Sequence, residues 1–170
     1  MQHVRVVIPC RNEVNYIGLC LDSLIRCRKN LARVSVQVVD GMSDDGTRDV
    51  VYSYASQYDF ISLLDNPKRT TPFALNIGLR NLDFDIGVIL GAHSVIDEDF
   101  IDRNVQILVD HPEVGCSGGV IHNVHENDVA EVISKAMSSS FGVGNAHFRT
   151  GGKSGYVDTV AFGAYRREVF

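Results

Sequence analysis

No C-x-x-C pair and no metal-finger spacing links the four cysteines of this 170-residue sequence, Cys10, Cys20, Cys27 and Cys116. A structural zinc module and a thioredoxin-like redox motif are therefore excluded, and the cysteines read as small apolar residues of a reducing compartment. Long apolar runs are missing too. None reaches the ~18 residues of a spanning helix, and the longest, near residues 4–8 and 86–90, have the length of core strands. Positive charge is not in excess: 16 Lys and Arg against 21 Asp and Glu leave a net charge of −5. That balance excludes general binding to nucleic acid or to an anionic membrane surface, while leaving room for a local anion site. The N-terminal MQHVRVVIP enters a strand pattern at once and leaves no room for a signal peptide, so a cytoplasmic domain is expected.

What is present is an ordinary globular composition, with 45% apolar and 22% charged residues and neither a repeat nor a linker. A chain of this length forms one domain and buries roughly two thirds of its unfolded surface. Apolar runs at 4–8, 34–39, 60–64, 86–90, 114–121 and 157–165 predict strands, with Pro9 expected to stop the first. Between them, helical spacing predicts helices. The first carries Val14, Ile17, Leu21, Leu24 and Ile25 behind Asn12 as N-cap. Others carry Val50, Val51, Tyr54 and Ala55, then Phe73, Ala74 and Ile77 after a Thr71-Pro72 start. Two more carry Phe100, Ile101, Val105 and Leu108 after an Asp97 cap, and Val129, Val132, Ile133, Ala136 and Met137. Residues 138–156 are rich in serine and glycine and show no period. Strand–helix alternation predicts an α/β fold, a mostly parallel doubly wound sheet with helices on both faces.

Open sheets of this kind bind ligands beyond the carboxyl ends of their strands, so the segments that follow strands carry the interest: 9–13, 40–47, 66–76 and 91–97. After the first strand, Pro9, Arg11, Asn12 and Glu13 bring a guanidinium, an amide and a carboxylate to a strand-to-helix turn. Together they can hold a polar, partly anionic ligand, or Asn12 and Glu13 only cap and charge the helix. Asp40 ends an apolar strand at a solvent-facing position, where a carboxylate can accept from a ring N–H or a hydroxyl. Ser43, Asp44, Asp45 and Thr47 read as turn and capping residues. No G-x-x-x-x-G-K-[ST], no G-x-G-x-x-G between strand and helix, no H-E-x-x-H and no G-x-S-x-G is present, which removes P-loop, dinucleotide-binding, zincin and α/β-hydrolase readings.

Four blocks in order, VVIPCRNEVNYIGLCLDSL, VVDGMSDDGT, NPKRTTPFALNIGL and VILGAHSVIDEDFI, resemble glycosyltransferase family 2. The later SSSFGVGNAHFR and VDTVAFGAYRREVF are similar to its succinoglycan-type exopolysaccharide branch. The resemblance implies a GT-A fold, a UDP-sugar donor and inverting transfer to a saccharide or lipid-linked saccharide acceptor, at the inner face of a bacterial cell membrane. It places Pro9, Arg11, Asn12 and Glu13 in the first nucleotide-binding turn, Asp40 against uracil and Asn76 in the donor-binding helix. Gly91, Ala92 and His93 fall at the diphosphate and metal motif.

Two departures qualify it. The branch reads Asp-Ala-His where this sequence has Gly91-Ala92-His93, which weakens a Mg²⁺ or Mn²⁺ site because hard cations favour carboxylate oxygens. His93 then either binds the metal or the diphosphate, or is structural. Family members also continue past an FGAYRREVF-like strand into an acidic segment, which puts the main catalytic base beyond Phe170. Residues 1–170 are thus expected to be the nucleotide-sugar-binding portion, truncated before the acceptor segment, with Asp158 as the late acid near the acceptor. A non-catalytic nucleotide-sugar-binding module is the alternative. A nucleotidyltransferase is weaker, because no glycine-rich basic loop follows the first strand.

Overall fold

The computed structural model describes residues 2–27, 33–81, 83–122, 154–157 and 159–170. Its strands are β1 (His3–Cys10), β2 (Arg33–Asp40), β3 (Ile61–Asp65), β4 (Ile86–Ile89), β5 (Cys116–Gly119) and β6 (Ala161–Arg166). Its helices are α1 (Ile17–Cys27), α2 (Thr47–Gln57), α3 (Thr71–Gly78) and α4 (Phe100–Asp110), and a 3₁₀ turn at Arg167–Val169 follows β6. The six strands lie in the order β3-β2-β1-β4-β6-β5. The first four are parallel, and β6 runs antiparallel between β4 and β5. The helix expected over 129–137 and the serine–glycine stretch fall mostly outside the described residues.

β1 reads as an almost continuous apolar run because both of its faces are covered. Val4, Val6 and Ile8 join the main core with α1, α2 and α4, whereas Val7 faces the other side with Val39 and Ala74 of α3. Helix α3 can lie close on β1 only because residue 78 is glycine: a Cβ there would come within 2.4 Å of Val7 Cγ1.

Three expected boundaries shift. Asn12 does not cap α1, which begins five residues later; it adopts a left-handed φ of 56° inside the preceding turn. Asp97 lies two residues ahead of Asp99, the residue that flanks α4. Pro9 does not stop β1, which continues to Cys10 against Asp40.

Pro9 instead parts β1 from β4. The two strands pair from Val4 with Ile86 to Val7 with Ile89, and the Leu90 N–H donates to the Val7 carbonyl at 3.1 Å. In a parallel ladder residues two apart face the same neighbour, so the next rung would need an N–H from Pro9, which has none. On the other side β1 and β2 stay together to the end, with Gly41 N–H donating to the Cys10 carbonyl at 2.7 Å. The gap therefore opens between β1 and β4, where the strand order reverses.

The carboxyl end of β2 is held by a buried ion pair. Asp40 is completely buried, which corrects the expectation that it faces solvent. Its Oδ2 accepts from the Ser43 N–H at 2.9 Å and from Arg48 Nη1 at 2.7 Å, and its Oδ1 accepts from the Ser43 hydroxyl. Arg48 also donates through Nη2 to Asp65 Oδ1 at 2.8 Å, tying the ends of β2 and β3 together.

Two stability predictions follow from this packing. Gly78→Ala is expected to cost about 1–3 kcal/mol through overpacking against Val7, several degrees of melting temperature; an unchanged melting curve would contradict the close approach. Asp40→Asn should cost about 2–4 kcal/mol, because it leaves Arg48 without its buried counter-charge. Asp65→Asn, at an exposed carboxylate on the same arginine, should cost at most about 1 kcal/mol. Chemical denaturation of both variants compares the two, and equal losses would refute the anchoring role of Asp40.

Candidate functional site

The gap beyond β1 and β4 is a cavity of about 410 Å³. Pro9, Cys10, Arg11 and Glu13 line it from the end of β1 and the turn after it, Asn66, Arg69, Thr70, Thr71 and Ala74 from the β3–α3 connection and the start of α3, and Leu90, Gly91, Ala92 and His93 from the segment after β4; Phe162 of β6 lines it too.

Two loops are stapled together beside this cavity. Asn12 N–H donates to Ser43 Oγ at 2.8 Å, while Asn12 Nδ2 donates to Asp44 Oδ1 at 3.0 Å and the Asp44 N–H donates back to Asn12 Oδ1 at 3.1 Å. Glu13 N–H donates to Thr47 Oγ1 at 2.8 Å, and Val14 N–H to Asp45 Oδ2 at 3.2 Å. Thr47 in turn donates its hydroxyl and N–H to Asp45 Oδ1 at 2.5 and 2.9 Å, which holds the Asp45 carboxyl below its ordinary range. The loop after β4 is held from α1. Ile96 N–H donates to Ser23 Oγ at 3.2 Å, and the thiols of Cys20 and Cys27 donate to the carbonyls of Gly91 and Asp97 at 3.7 and 3.2 Å.

Of the residues singled out in the sequence, Pro9, Arg11, Glu13, Gly91, Ala92 and His93 line the cavity. Asn12 staples the loops behind it, and Asp40 lies buried with Ser43 and Arg48. Asn76 is exposed on α3, while Ala74 and Gly78 of the same helix face the sheet. Asp158 lies outside the described residues. Phe170 is not among the residues that line the cavity. It is a packing residue: its ring lies 6.0 Å from that of Phe84 and 5.7 Å from that of Tyr165, and it covers Gly87 of β4, where a Cβ would meet Phe170 Cε2 at 2.8 Å.

Among the lining residues that the sequence did not single out, Asn66 and Arg69 lie within the flagged segment 66–76, whereas Phe162 lies outside every flagged segment. Asn66 is 2% exposed; its N–H donates to the Asp40 carbonyl at 2.8 Å and its Nδ2 to the Thr70 carbonyl at 2.9 Å. Its amide oxygen is buried and has no hydrogen-bond partner among the described residues, an unmet acceptor of the kind that costs free energy until something donates to it. Arg69 adopts a left-handed φ of 58°, and Phe162 one of 51°. The segment 66–76 was flagged as strand-following, but nothing in its composition distinguishes Asn66 from a turn residue.

The cavity is locally cationic. Arg11 and Arg69 are exposed and have no carboxylate partner among the described residues. The first turn of α3, at Thr70 and Thr71, adds unpaired N–H groups and the positive end of a helix dipole. His93 Nδ1 sits 3.5 Å from Glu13 Oε1. Cys10 is no nucleophile, since burial and the charges of Asp40 and Glu13 push its thiol up to about 12.

The described residues around Gly91 and His93 do not by themselves make a site for a divalent cation. Position 91 carries no side chain, and among the described residues no group of three His, Cys, Asp or Glu side chains is placed to hold a metal ion. No described helix is long and apolar enough to cross a membrane.

The chain is similar over most of its length to known sugar transferases. At 30% identity it matches a Methanococcus voltae dolichyl N-acetyl-alpha-D-glucosaminyl phosphate 3-beta-D-2,3-diacetamido-2,3-dideoxy-beta-D-glucuronosyltransferase, covering 97% of this chain and 53% of that protein. At 29% it matches the succinoglycan biosynthesis protein ExoA of Rhizobium meliloti, covering 97% of this chain and 50% of ExoA, in keeping with the succinoglycan-type motifs. The chain thus spans about half the length of these curated relatives. Among solved structures, a Pyrobaculum calidifontis mannosyltransferase in complex with GDP-Man and Mn²⁺ superposes with a TM-score of 0.70 at 25% identity, covering 99% of this chain and 45% of that one. Mannosyl-3-phosphoglycerate synthase from Rubrobacter xylanophilus shares the fold with a TM-score of 0.66 at 17% identity, over 99% of this chain and 55% of that one. The family model for glycosyl transferase family 2 matches residues 5–170, and the chain belongs to that family and has its GT-A fold.

Proposed function

We propose that the crevice between β1 and β4 binds the nucleoside-diphosphate part of a sugar donor, and that the chain is the donor-binding portion of an inverting transferase building a polysaccharide or glycolipid. One observation carries this reading: the cavity at the reversal of strand order is lined by Asn66, whose buried amide oxygen has no hydrogen-bond partner among the described residues, and by Arg11 and Arg69, which have no carboxylate partner among them. The amide oxygen of Asn66 suits a nucleobase. Uracil presents one ring N–H, which a lone acceptor satisfies, whereas guanine presents an N1–H and an amino group side by side and calls for two acceptors. UDP-sugars are therefore the donors we assign. Arg11, Arg69 and the first turn of α3 take the diphosphate, where planar guanidinium groups match phosphate oxygens in pairs.

Asp40, Asn12 and Glu13 serve this site chiefly by position. Asp40 fixes the turn after β2, and Asn12 and the Glu13 backbone pin the first loop to it. In the transfer itself, an acceptor hydroxyl attacks the anomeric carbon from the face opposite the nucleotide while the bond to the diphosphate oxygen breaks. A base takes the hydroxyl proton, and the cationic groups stabilise the charge released on the leaving diphosphate. No described residue is assigned as that base; Asp158 is the acid the sequence offers.

A non-catalytic nucleotide-sugar-binding module is the second reading, favoured by the glycine at position 91. Turnover of a UDP-sugar by the full-length protein would overturn it.

Titration calorimetry with UDP tests the donor site. UDP is expected to bind, and N3-methyl-UDP to bind about tenfold more weakly, the effect of one lost hydrogen bond of ~1.4 kcal/mol. In Asn66→Ala that methyl penalty should shrink, with the melting curve confirming that the variant folds. Equal affinity for the two nucleotides would refute base reading by Asn66, and no binding at millimolar UDP would refute the donor site.

A further inference from the structure

The space beside Gly91 is tight for any side chain. A Cβ at this position would sit 3.2 Å from Phe162 Cε1 and 3.2 Å from Ser94 Oγ. Phe162 is held there with a positive φ of 51°, a conformation that is unfavourable for a bulky L-residue and persists only where its surroundings enforce it. The turn itself is closed by the Ser94 N–H donating to the Gly91 carbonyl at 3.1 Å. A Cβ at this position would require the Phe162 ring and the Ser94 hydroxyl each to shift by a few tenths of an ångström.

The remaining polar groups near this position do not add up to a site for a hard cation. His93 faces one carboxylate, Glu13, at 3.5 Å, and Mg²⁺ or Mn²⁺ favours several oxygen ligands over an imidazole. A diphosphate nevertheless needs its charge balanced as it leaves. Arg11 and Arg69 line the same cavity and are paired to no described carboxylate. By contrast Arg48 is locked between Asp40 and Asp65, and Arg5 is paired with Asp83. Guanidinium groups stay charged at any working pH and bind phosphate oxygens two at a time.

We infer that this crevice holds the donor's diphosphate through Arg11 and Arg69 and binds nucleoside diphosphates without a divalent cation. The inference rests on the donor-site reading above, and one set of titrations separates the two. UDP is titrated into the chain in EDTA, then in excess Mn²⁺ and in excess Mg²⁺, with uridine as the phosphate-free control. UDP affinity is expected to agree within about threefold across the three conditions. Arg69→Gln and Arg11→Gln, both at exposed positions, should each weaken UDP tenfold or more in EDTA while leaving uridine within threefold. A tenfold or greater gain with Mn²⁺ or Mg²⁺ that EDTA reverses would overturn the inference and leave the donor site standing. So would arginine variants that bind UDP as the parent does. Absence of UDP binding in every condition would remove the donor site, and the inference with it.

Discussion

Pro9 has no N–H to give, and it stands at the rung where β1 and β4 would otherwise continue side by side. Their pairing ends with Val7 and Ile89, and the Leu90 N–H makes the last bond to β1. On the opposite edge β1 keeps its full pairing with β2 to Asp40. A strand bound on one side and released on the other leaves a cleft whose floor is backbone and whose walls are the loops leaving three strands. Those loops need support, because a loop without its own hydrogen bonds does not hold a shape. The Asp40–Arg48–Asp65 bridge fixes the ends of β2 and β3, and α1 fixes the loop that follows β4.

The electrostatics of the cleft follow from the same bonds. The chain is acidic as a whole, with a net charge of −5. Yet most carboxylates near the cleft are committed to holding loops: Asp40 to Ser43 and Arg48, Asp44 to Asn12, Asp45 to Thr47 and Val14. Glu13 faces His93. Arg11 and Arg69 have no such partner among the described residues, so a chain of net negative charge presents a local positive field where the strands part. Asp40, Asp44 and Asp45 are thus bonded within the loops, while Arg11 and Arg69 line the cavity with no carboxylate partner among the described residues.

Much of the architecture was legible in the sequence because buried parallel strands read as apolar runs and the helices between them keep a 3.6-residue period. The strands near 4–8, 34–39 and 86–90 all formed where expected. The boundaries that failed depend on local hydrogen bonds rather than on periodicity. Asn12 looks like a cap, but its side chain and N–H are taken by Asp44 and Ser43, residues about thirty positions away. The site was half legible. Motifs at 9–13 and 91–93 brought seven lining residues into view, whereas the burial of Asp40 and the oxygen of Asn66, unpaired among the described residues, are consequences of packing that no spacing encodes. Phe162 was invisible for the same reason, since its role arises only when β6 is laid beside β4.

The claim on which the rest stands is that the parting of β1 and β4 makes a site for a nucleoside diphosphate. A crystal structure of the chain grown with UDP tests it most directly. The account predicts nucleotide density in this crevice, with the uracil N3 within hydrogen-bond distance of Asn66 Oδ1 and the two phosphates between the guanidinium groups of Arg11 and Arg69. Nucleotide bound elsewhere on the molecule, or in the crevice with its phosphates turned away from both arginines, would contradict it.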